Sequence, residues 1–397
     1  MISTIAVANY RSIIELVMPM GPLNLITGLN GSGKSNLYRA LRLLAETAQG
    51  GVVNALAHEG GLDSAFWAGP EKITSRMISG EVEVQGDPKK NVVRLRLGFS
   101  SEEFGYSIDL GLPVPSSSAF SLDPEIKREC IWAGPSYRPA SVLVDRKGPV
   151  VKVREGRSWQ VIAQHLNSFD SMLSEVGDFN LAPEIFHIRE WIRSWRFYDH
   201  FRTDAQAPAR QPQLGTRTPV LSQDGHDLAA ALQTIIEIGD EVALAESIED
   251  AFPGARININ VQEDGRFVLR FYQHGLLRPL TAAELSDGTL RYLLWVAALL
   301  TPRPPKLMVL NEPETSLHPD LLPALGRLIK LASKFTQVWV VSHARLLINE
   351  LNEPVNNLGY SRSKNECNSI ALHKELGQTK IQDQDMLSTP SWHWPSY

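Results

Sequence analysis

The sequence is poor in cysteine, in long apolar runs and in excess positive charge, and each shortage excludes a class of protein. Its two cysteines, Cys130 and Cys367, are too few for a disulfide framework or a cysteine-rich zinc site. The longest apolar run, Tyr292 to Leu300, is far shorter than the roughly 20 residues that span a bilayer. With 39 basic and 44 acidic residues the net charge is −5, so any nucleic-acid surface must be a local patch.

Two further absences concern the surroundings and the shape of the chain. The first residues, MISTIAVANYRS, contain no basic start followed by a long apolar stretch, so we expect no signal peptide, no membrane partner and a cytoplasmic location. The sequence has no internal repeat and no sustained heptad pattern, which argues against a coiled-coil arm. The remaining composition is that of an ordinary globular protein, with 43% apolar and 21% charged residues. A length of 397 residues predicts two to three domains or one large elaborated domain.

Apolar periodicity divides the chain into an α/β part and a β-rich part. Alternation of period two between about Ile73 and Leu112, and strands from Val142 to Val153, predict an antiparallel lobe. From Gly288 onward helices and strands alternate, which predicts a mainly parallel sheet. The other expected elements are strands at Ile2–Val7 and Leu23–Thr27, helices over 33–48, 159–173, 182–195 and 228–251, two strands over 256–271, and a mobile connection over 205–219.

A phosphate-binding loop lies between the second predicted strand and the first predicted helix. Its residues, Gly28-Leu29-Asn30-Gly31-Ser32-Gly33-Lys34-Ser35, fit the pattern G-x-x-x-x-G-K-[ST]. Glycines let backbone N–H groups surround a phosphate, and the start of the following helix adds a positive dipole end. In this pattern Lys34 reaches the β- and γ-phosphates, and the hydroxyl of Ser35 contacts Mg²⁺. The sequence therefore predicts a nucleoside triphosphate site.

Polar side chains follow two apolar strands in the second half of the chain. Leu307 to Leu310 is followed by Asn311 and Glu312, the layout of a Walker B strand, and Glu312 is the expected general base. Val338 to Val341 leads to His343, and a histidine at such a strand end can hydrogen-bond a γ-phosphate. Both segments therefore predict catalytic groups at the carboxyl edge of the parallel sheet.

A second anion site is indicated upstream, where Ser286 and Gly288 open a helix. The phosphate loop already holds the phosphates of this chain. We therefore expect the second site to contact the nucleotide of a partner subunit.

These segments, in this order, resemble the ABC-type ATPases. Asn30 and Asn36 around the phosphate loop, and Asn9-Tyr10-Arg11-Ser12 before it, resemble the RecF/SMC branch rather than transporters. The stretch Asn311-Glu312-Pro313-Glu314-Thr315-Ser316-Leu317-His318-Pro319 resembles stand-alone RecF-like ATPases and the ATPase part of OLD-family proteins. The resemblance covers residues 1–50 and 280–345 well.

The resemblance implies a P-loop NTPase fold of the ABC-ATPase type, an α/β fold in which a mainly parallel sheet carries an antiparallel β lobe and a helical insertion. It places the N-terminal half of the ATPase core at 1–72, the β-rich lobe at 73–157, the helical insertion at 158–255, and the C-terminal half of the core with the tail at 256–397.

The resemblance also implies a set of site residues for ATP and Mg²⁺. The residues that would bind the nucleotide are Asn30, Gly31, Ser32, Gly33, Lys34, Ser35 and Asn36. Arg11 would lie near the nucleotide or the partner subunit. Ser35 and Asn311 would bind the metal. Glu312 would activate water, His343 would sense the γ-phosphate, and Lys34 would offset charge. Ser286 and Gly288 would reach the partner's γ-phosphate in a head-to-tail homodimer.

The sequence departs from the family at Asn311, where the family carries aspartate. The loss of a full negative charge from the metal shell predicts weaker Mg²⁺ affinity and slower turnover. A slow ATPase and a non-hydrolysing ATP-bound switch both fit this substitution. For the glutamine-bearing Q-loop, Gln160 and Gln164 are both open candidates. OLD proteins append a Toprim module, and the residues after His343 are too few for one.

Two locally basic segments, Arg138–Arg157 and Arg189–Arg217, are the candidates for contact with double-stranded DNA. The second is interleaved with aromatic residues that fit either a base-stacking surface or a packed core: Trp191, Trp195, Phe197, Tyr198 and Phe201. Analogy with the stand-alone relatives suggests DNA maintenance or phage defence, through DNA or a separate effector protein. The aromatic segment Trp392-His393-Trp394 fits either a cap on the fold or a partner surface, and we expect the cap.

Overall fold

The computed structural model describes residues 1–70, 75–79, 81, 93–114, 117, 119–120, 122–354, 367–384 and 389–396. These residues divide into two compact units. Unit one comprises Met1–Gly21, Thr27–Trp195 and Ile370–Tyr397, and unit two comprises Pro22–Ile26 and Arg196–Ser369. The chain passes between the units four times, and two of these crossings lie within strands, at residues 26–27 and 369–370. The four segments expected from sequence stay a prediction.

The strands among the described residues are β1 Ile2–Tyr10, β2 Ile13–Pro19, β3 Leu23–Gly28, β4 Leu95–Ser101, β5 Phe104–Gly111, β6 Glu125–Ala133, β7 Val142–Lys147, β8 Val150–Glu155, β9 Ser158–Ala163, β10 Arg196–Tyr198, β11 Gln213–Leu214, β12 Arg256–Val261, β13 Arg266–Tyr272, β14 Leu280–Thr281, β15 Leu307–Asn311, β16 Gln337–Val341, β17 Cys367–Glu375 and β18 Gln378–Ile381. The helices are α1 Lys34–Glu46, α2 Val52–His58, α3 Leu62–Ala65, α4 Ser75–Ile78, α5 Met172–Glu175, α6 Pro183–Arg193, α7 Leu228–Ile238, α8 Glu241–Ala251, α9 Asp287–Leu299, α10 Leu322–Ala332 and α11 Arg345–Asn352.

An antiparallel sheet dominates unit one. Eight strands of the described chain follow the order β2-β1-β4-β5-β6-β7-β8-β9. The predicted antiparallel lobe is thereby confirmed for β4 to β8, and β1, β2 and β9 belong to the same sheet, with Val7 opposite Leu97. Within the segment 73–92, residues 75–78 form α4, and residues 73–74, 80 and 82–92 lie outside the described residues.

The helix predicted over 159–173 is wrong for its first part. Ser158–Ala163 is strand β9, which pairs with β8 and places Gln160 opposite Val153. A tight turn at Gly156, with φ 60°, returns the chain against β8 before a helix can begin. Only α5, Met172–Glu175, is helical in this stretch. Pairing with a neighbouring strand decided the conformation, and periodicity alone did not reveal it.

Unit two is built on a parallel sheet. The strands follow the order β10-β15-β16-β3, with Val309 opposite Trp339 and Val340 opposite Leu25. The apolar residues of β15 and β16 are buried, as expected for parallel strands that are covered on both faces. The alternating helices and strands predicted after Gly288 are confirmed as α9, β15, α10, β16 and α11. The α/β fold with a parallel sheet and an antiparallel lobe is therefore confirmed.

A second, antiparallel sheet in unit two contains β11, β13, β12 and β14. The two strands predicted over 256–271 are confirmed, and the turn between them contains Gly265 at φ 80°. The segment 205–219, predicted to be a mobile connection, is instead held in place. Gln213 pairs with Phe267 in the antiparallel sheet. Arg210 is buried and donates several hydrogen bonds.

The interleaved aromatic residues form core and not a base-stacking surface. In unit one, the rings of Trp191 and Trp195 lie 5.8 and 5.5 Å from the ring of Phe99. In unit two, Tyr198 and Phe201 pack against Trp295, with Phe201 at 4.9 Å. The fifth aromatic residue, Phe197, is also buried. Base stacking by these side chains is therefore excluded, and contact with DNA stays a prediction.

The expected capping role of the last aromatic residues is confirmed within unit one. The ring of Trp392 lies 5.6 Å from that of Trp132 and against Gly98, and Trp394 donates to Glu15 at 3.1 Å. Across the described ranges, no helix is long and apolar enough to cross a bilayer.

Candidate nucleotide site

The phosphate loop in unit one has a backbone that only glycine adopts readily. Gly28 and Gly33 have φ values of 146° and 107°. A Cβ at Gly28 would collide with the carbonyl oxygen of Leu372, and a Cβ at Gly33 would collide with the hydroxyl of Thr379. Glycine is therefore required at both positions by conformation and by space. The loop leads directly into α1, a helix of 13 residues that begins at Lys34.

The ammonium group of Lys34 is held inside the loop. It is 6% exposed and donates to the carbonyl oxygens of Gly28, at 2.6 Å, and Leu29, at 3.2 Å. Carbonyl oxygens carry only partial charge, so these two contacts leave the buried positive charge of Lys34 without a full negative charge beside it. The hydroxyl of Ser32 is also buried and has no hydrogen-bond partner among the described residues. A buried ammonium and an orphaned hydroxyl fit a phosphate group.

A chain of hydrogen bonds within unit one holds the loop from behind. The amide of Asn36 donates to Ser12 Oγ at 2.7 Å, Ser12 Oγ lies 2.7 Å from Thr379 Oγ1, and Thr379 Oγ1 donates to the carbonyl oxygen of Ser32 at 3.0 Å. Sequence analysis missed Thr379. Since it lies in the β17–β18 hairpin, far from every recognisable motif, no local signal identifies it.

The other predicted nucleotide contacts are placed as follows. Asn30, Gly31 and Ser35 are exposed at the loop and the start of α1. Arg11, with φ 48°, forms an ion pair with Glu59 at 2.9 Å. The structure thus gives Arg11 a protein partner, and its approach to a nucleotide stays a prediction.

In unit two, the predicted base and the predicted phosphate sensor lie close together. Glu312 follows β15 in a left-handed conformation, with φ 50°, and its N–H donates to the carbonyl oxygen of Val341 at 2.8 Å. Its Oε1 lies 3.7 Å from Nδ1 of His343, and both side chains are about half exposed. Asn311, the last residue of β15, is partly buried beside them. Strain at Glu312 is the kind stored at functional sites.

The predicted signature segment begins α9. Ser286 is its N-cap and accepts a hydrogen bond from the N–H of Thr289 at 3.1 Å, while Gly288 lies in the first turn. Ser286 is exposed, and Gly288 is partly exposed. An exposed N-terminus of a 13-residue helix presents N–H groups and a positive dipole end to an anion.

Arg210 holds the signature turn and was missed by sequence analysis. It is 7% exposed and donates to the carbonyl oxygens of Ala282 and Leu285, at 2.9 and 2.7 Å, and to the carboxylate of Asp287 at 2.6 Å. The planar guanidinium can serve all of these acceptors at once. Arg210 lies 77 positions before Asp287, so no motif links them.

A second buried arginine connects α9 to the turn after β15. Arg291 donates to the carbonyl oxygens of Thr315 and Phe201, each at 2.9 Å, and to the hydroxyl of Thr203 at 3.2 Å. Burial lowers its pKa. Because Thr315 lies in the same turn as Glu312, Arg291 ties helix α9 to the turn that carries Glu312, within unit two.

A strand, a glycine-rich loop with a buried lysine and a helix define a P-loop nucleotide-binding domain. The family described as "AAA domain, putative AbiEii toxin, Type IV TA system" matches residues 23–349. The chain belongs to this family, and its AAA domain is an ATP-binding ATPase domain. The predicted P-loop NTPase fold is therefore confirmed, whereas the individual site residues stay predictions. No curated protein sequence matches the chain at a significant level.

Three solved structures are similar over nearly the whole chain at low identity. A SmcHead bound to the C-winged helix domain of ScpA is 11% identical, covers 96% of this chain and 96% of its own, and has a TM-score of 0.49. An Smc head domain with an extended coiled coil, bound to the C-terminal domain of ScpA derived from Pyrococcus furiosus, is 12% identical, with coverages of 96% and 95% and a TM-score of 0.46. An SMC head domain from Thermotoga maritima is 14% identical, with coverages of 97% and 99% and a TM-score of 0.44.

Proposed function

We propose that this protein is an ABC-type ATPase that hydrolyses ATP slowly and changes its association state with the bound nucleotide. The observation that carries the proposal is the closeness of Glu312 and His343, whose Oε1 and Nδ1 atoms lie 3.7 Å apart at the ends of two neighbouring parallel strands. In open α/β sheets, ligands bind at this edge. Strand β3 pairs with β16 through Ile26 and continues along the chain into the phosphate loop.

The reaction is an in-line displacement at the γ-phosphate. Glu312 accepts a proton from water, the water oxygen forms a bond to γ-phosphorus, and the bond from γ-phosphorus to the β–γ bridging oxygen breaks. ADP and inorganic phosphate leave. The ammonium of Lys34 and the loop N–H groups offset the phosphate charge, and His343 hydrogen-bonds the γ-phosphate.

Ser35 and Asn311 are the residues proposed to hold Mg²⁺, which would neutralise charge on the β- and γ-phosphates. The exposed Ser35 hydroxyl and the Asn311 amide oxygen are suitable hard oxygen donors. Neither group is charged, so most of the negative charge around the metal must come from the nucleotide. This requirement supports weak metal affinity and slow turnover.

The proposed active form is a head-to-tail homodimer in the ATP state. The exposed N-terminus of α9, with Ser286 and Gly288, would meet the γ-phosphate held by the partner subunit. The resulting nucleotide-dependent dimer would act on double-stranded DNA or on an effector protein, in DNA maintenance or phage defence. The words "Type IV TA system" in the family description support a defence setting.

The experiment is steady-state phosphate release from ATP with Mg²⁺ over a range of protein concentrations, with and without duplex DNA. We expect a rate per subunit that rises with protein concentration, and a loss of at least about 100-fold in Glu312→Gln. Glu263→Gln, an exposed turn residue with the same change of charge, is the control. Turnover that persists in Glu312→Gln would refute Glu312 as the base.

The second candidate is an ATP-bound scaffold that does not hydrolyse ATP and controls a separate effector. Asn311 favours it, because the metal shell lacks a carboxylate at this position. The turnover of the native protein and of Asn311→Asp distinguishes the two candidates. If the native protein binds ATP without turnover and Asn311→Asp hydrolyses it, the protein is a switch; if the native protein already turns over, it is an ATPase.

A further inference from the structure

Glu314 lies in the same turn as Glu312 and has no role in the reaction described above. Its side chain is 7% exposed. One oxygen, Oε1, accepts hydrogen bonds from three consecutive residues: from Ser342 Oγ at 2.8 Å, from the N–H of His343 at 2.9 Å and from the N–H of Ala344 at 3.2 Å. A single carboxylate oxygen therefore holds together the turn that contains His343.

The same oxygen also faces the ring of His343. Glu314 Oε1 lies 3.5 Å from Nδ1 of His343, and Oε1 of the more exposed Glu312 lies 3.7 Å from the same nitrogen. Two carboxylates beside one ring nitrogen favour a proton on that nitrogen, because an N–H is a donor and a bare nitrogen is not. Nε2 is then the ring nitrogen available to a ligand.

The other oxygen of Glu314 indicates that the carboxylate does more than close a turn. Oε2 is buried and has no hydrogen-bond partner among the described residues. A buried acceptor without a donor costs stability. Local costs of this kind concentrate at functional sites, which supports a role for the charge of Glu314 on the His343 side.

We propose that Glu314 is the positioning residue of His343: it fixes the backbone of the Ser342–Ala344 turn and keeps the ring proton on Nδ1. The kinetic part of this inference rests on the proposed ATPase function. The part that concerns the ring does not, because it holds in the protein without nucleotide. Glu314 thus acts through His343 and does not itself touch the substrate.

The first test measures the ring directly. In the full chain labelled with ¹⁵N-histidine, the His343 signals are identified by their loss in His343→Ala, and the nitrogen shifts report which ring nitrogen carries the proton. We expect the Nδ1–H form in the native protein and a mixed population in Glu314→Gln, which keeps an acceptor oxygen and loses the charge. Glu353→Gln, which changes an exposed glutamate directly after α11, is the control. An unchanged His343 ring in Glu314→Gln would overturn the proposal.

The second test measures whether Glu314 acts through His343. We expect Glu314→Gln to lower kcat about tenfold and to change the Kd for ATP by less than about threefold. In the His343→Ala background, the same substitution should change kcat by less than about twofold. Equal losses in both backgrounds would show that Glu314 acts elsewhere. If the native protein shows no turnover at all, the proposed ATPase function fails, and the ring measurement still decides the role of Glu314.

Discussion

The hydroxyl of Thr379 donates a 3.0 Å hydrogen bond to the carbonyl oxygen of Ser32, which lies 347 positions earlier in the chain. Thr379 is fully buried, and its own N–H donates to the carbonyl oxygen of Ser12 at 2.7 Å. The β17–β18 hairpin therefore supports the phosphate loop from within unit one. The shape of the loop depends on this side chain as well as on the glycines of the motif.

Replacing Thr379 by valine should weaken nucleotide binding. The substitution keeps the shape of the side chain and removes two hydrogen bonds: the one donated to the carbonyl oxygen of Ser32 and the one shared with the hydroxyl of Ser12. A lost buried hydrogen bond costs about 1–3 kcal/mol, so we expect the Kd for ATP to rise about tenfold or more. The Kd is measured by calorimetric titration with ATP in the Glu312→Gln background. Thr379→Ser keeps the hydroxyl and should bind within about threefold of the parent; equal weakening in both variants would contradict a role for the hydroxyl.

Replacing Arg210 by lysine should destabilise the signature turn. One ammonium cannot reach the carbonyl oxygens of Ala282 and Leu285 and the carboxylate of Asp287 together. Because the carbonyl oxygens of Ala282 and Leu285 would be left buried and unpaired, we expect a loss of about 3 kcal/mol in the free energy of unfolding, measured with urea. Arg202→Lys is the matched control, since Arg202 forms an exposed pair with Asp204 and its replacement should leave stability nearly unchanged.

The titration of Asp109 should make the stability of this protein depend on pH below neutrality. Burial raises the pKa of Asp109 from 3.8 to about 6, although the guanidinium groups of Arg96, Arg94 and Arg128 oppose the shift. The folded state therefore binds the proton more tightly than the unfolded state between these values. Stability contributed by this group is present at low pH and is lost as the pH rises through about 6.

The comparison with Asp109→Asn isolates this effect, because the variant cannot titrate at that position. The difference between 6 and 3.8 is about two pKa units, which corresponds to roughly 3 kcal/mol. On going from pH 7 to pH 4, the native protein should gain most of this amount relative to the variant in urea unfolding. A difference between the two proteins that stays constant with pH would show that the carboxyl group does not titrate in this range.

Removing the ring of Trp392 should destabilise unit one. The ring packs at 5.6 Å against that of Trp132 and lies over Gly98, which has no side chain to fill the space. Since Trp392 is half-buried, we expect Trp392→Ala to lower the free energy of unfolding by about 2 kcal/mol. His393→Ala, an exposed neighbour, should have little effect. Equal stability of Trp392→Ala and the native protein in urea would contradict the capping role.

The sequence by itself determined the parts of this protein whose physical requirements lie in contiguous residues. The glycines and Lys34 of the phosphate loop could be predicted, because a left-handed backbone and a cation on one turn are local demands. The parallel strands β15 and β16 could be predicted, because strands covered on both faces are continuously apolar. Glu312 and His343 followed from the positions at which those strands end.

Only the tertiary structure decided the features that depend on distant partners. Strand β9 was predicted as a helix because its conformation is set by pairing with β8. The aromatic residues around Trp195 became core through packing that periodicity could not distinguish from a surface. Thr379 and Arg210 act on segments 347 and 77 positions away. Hydrogen bonds of this kind are specified by the folded backbone, which brings together residues that no contiguous pattern connects.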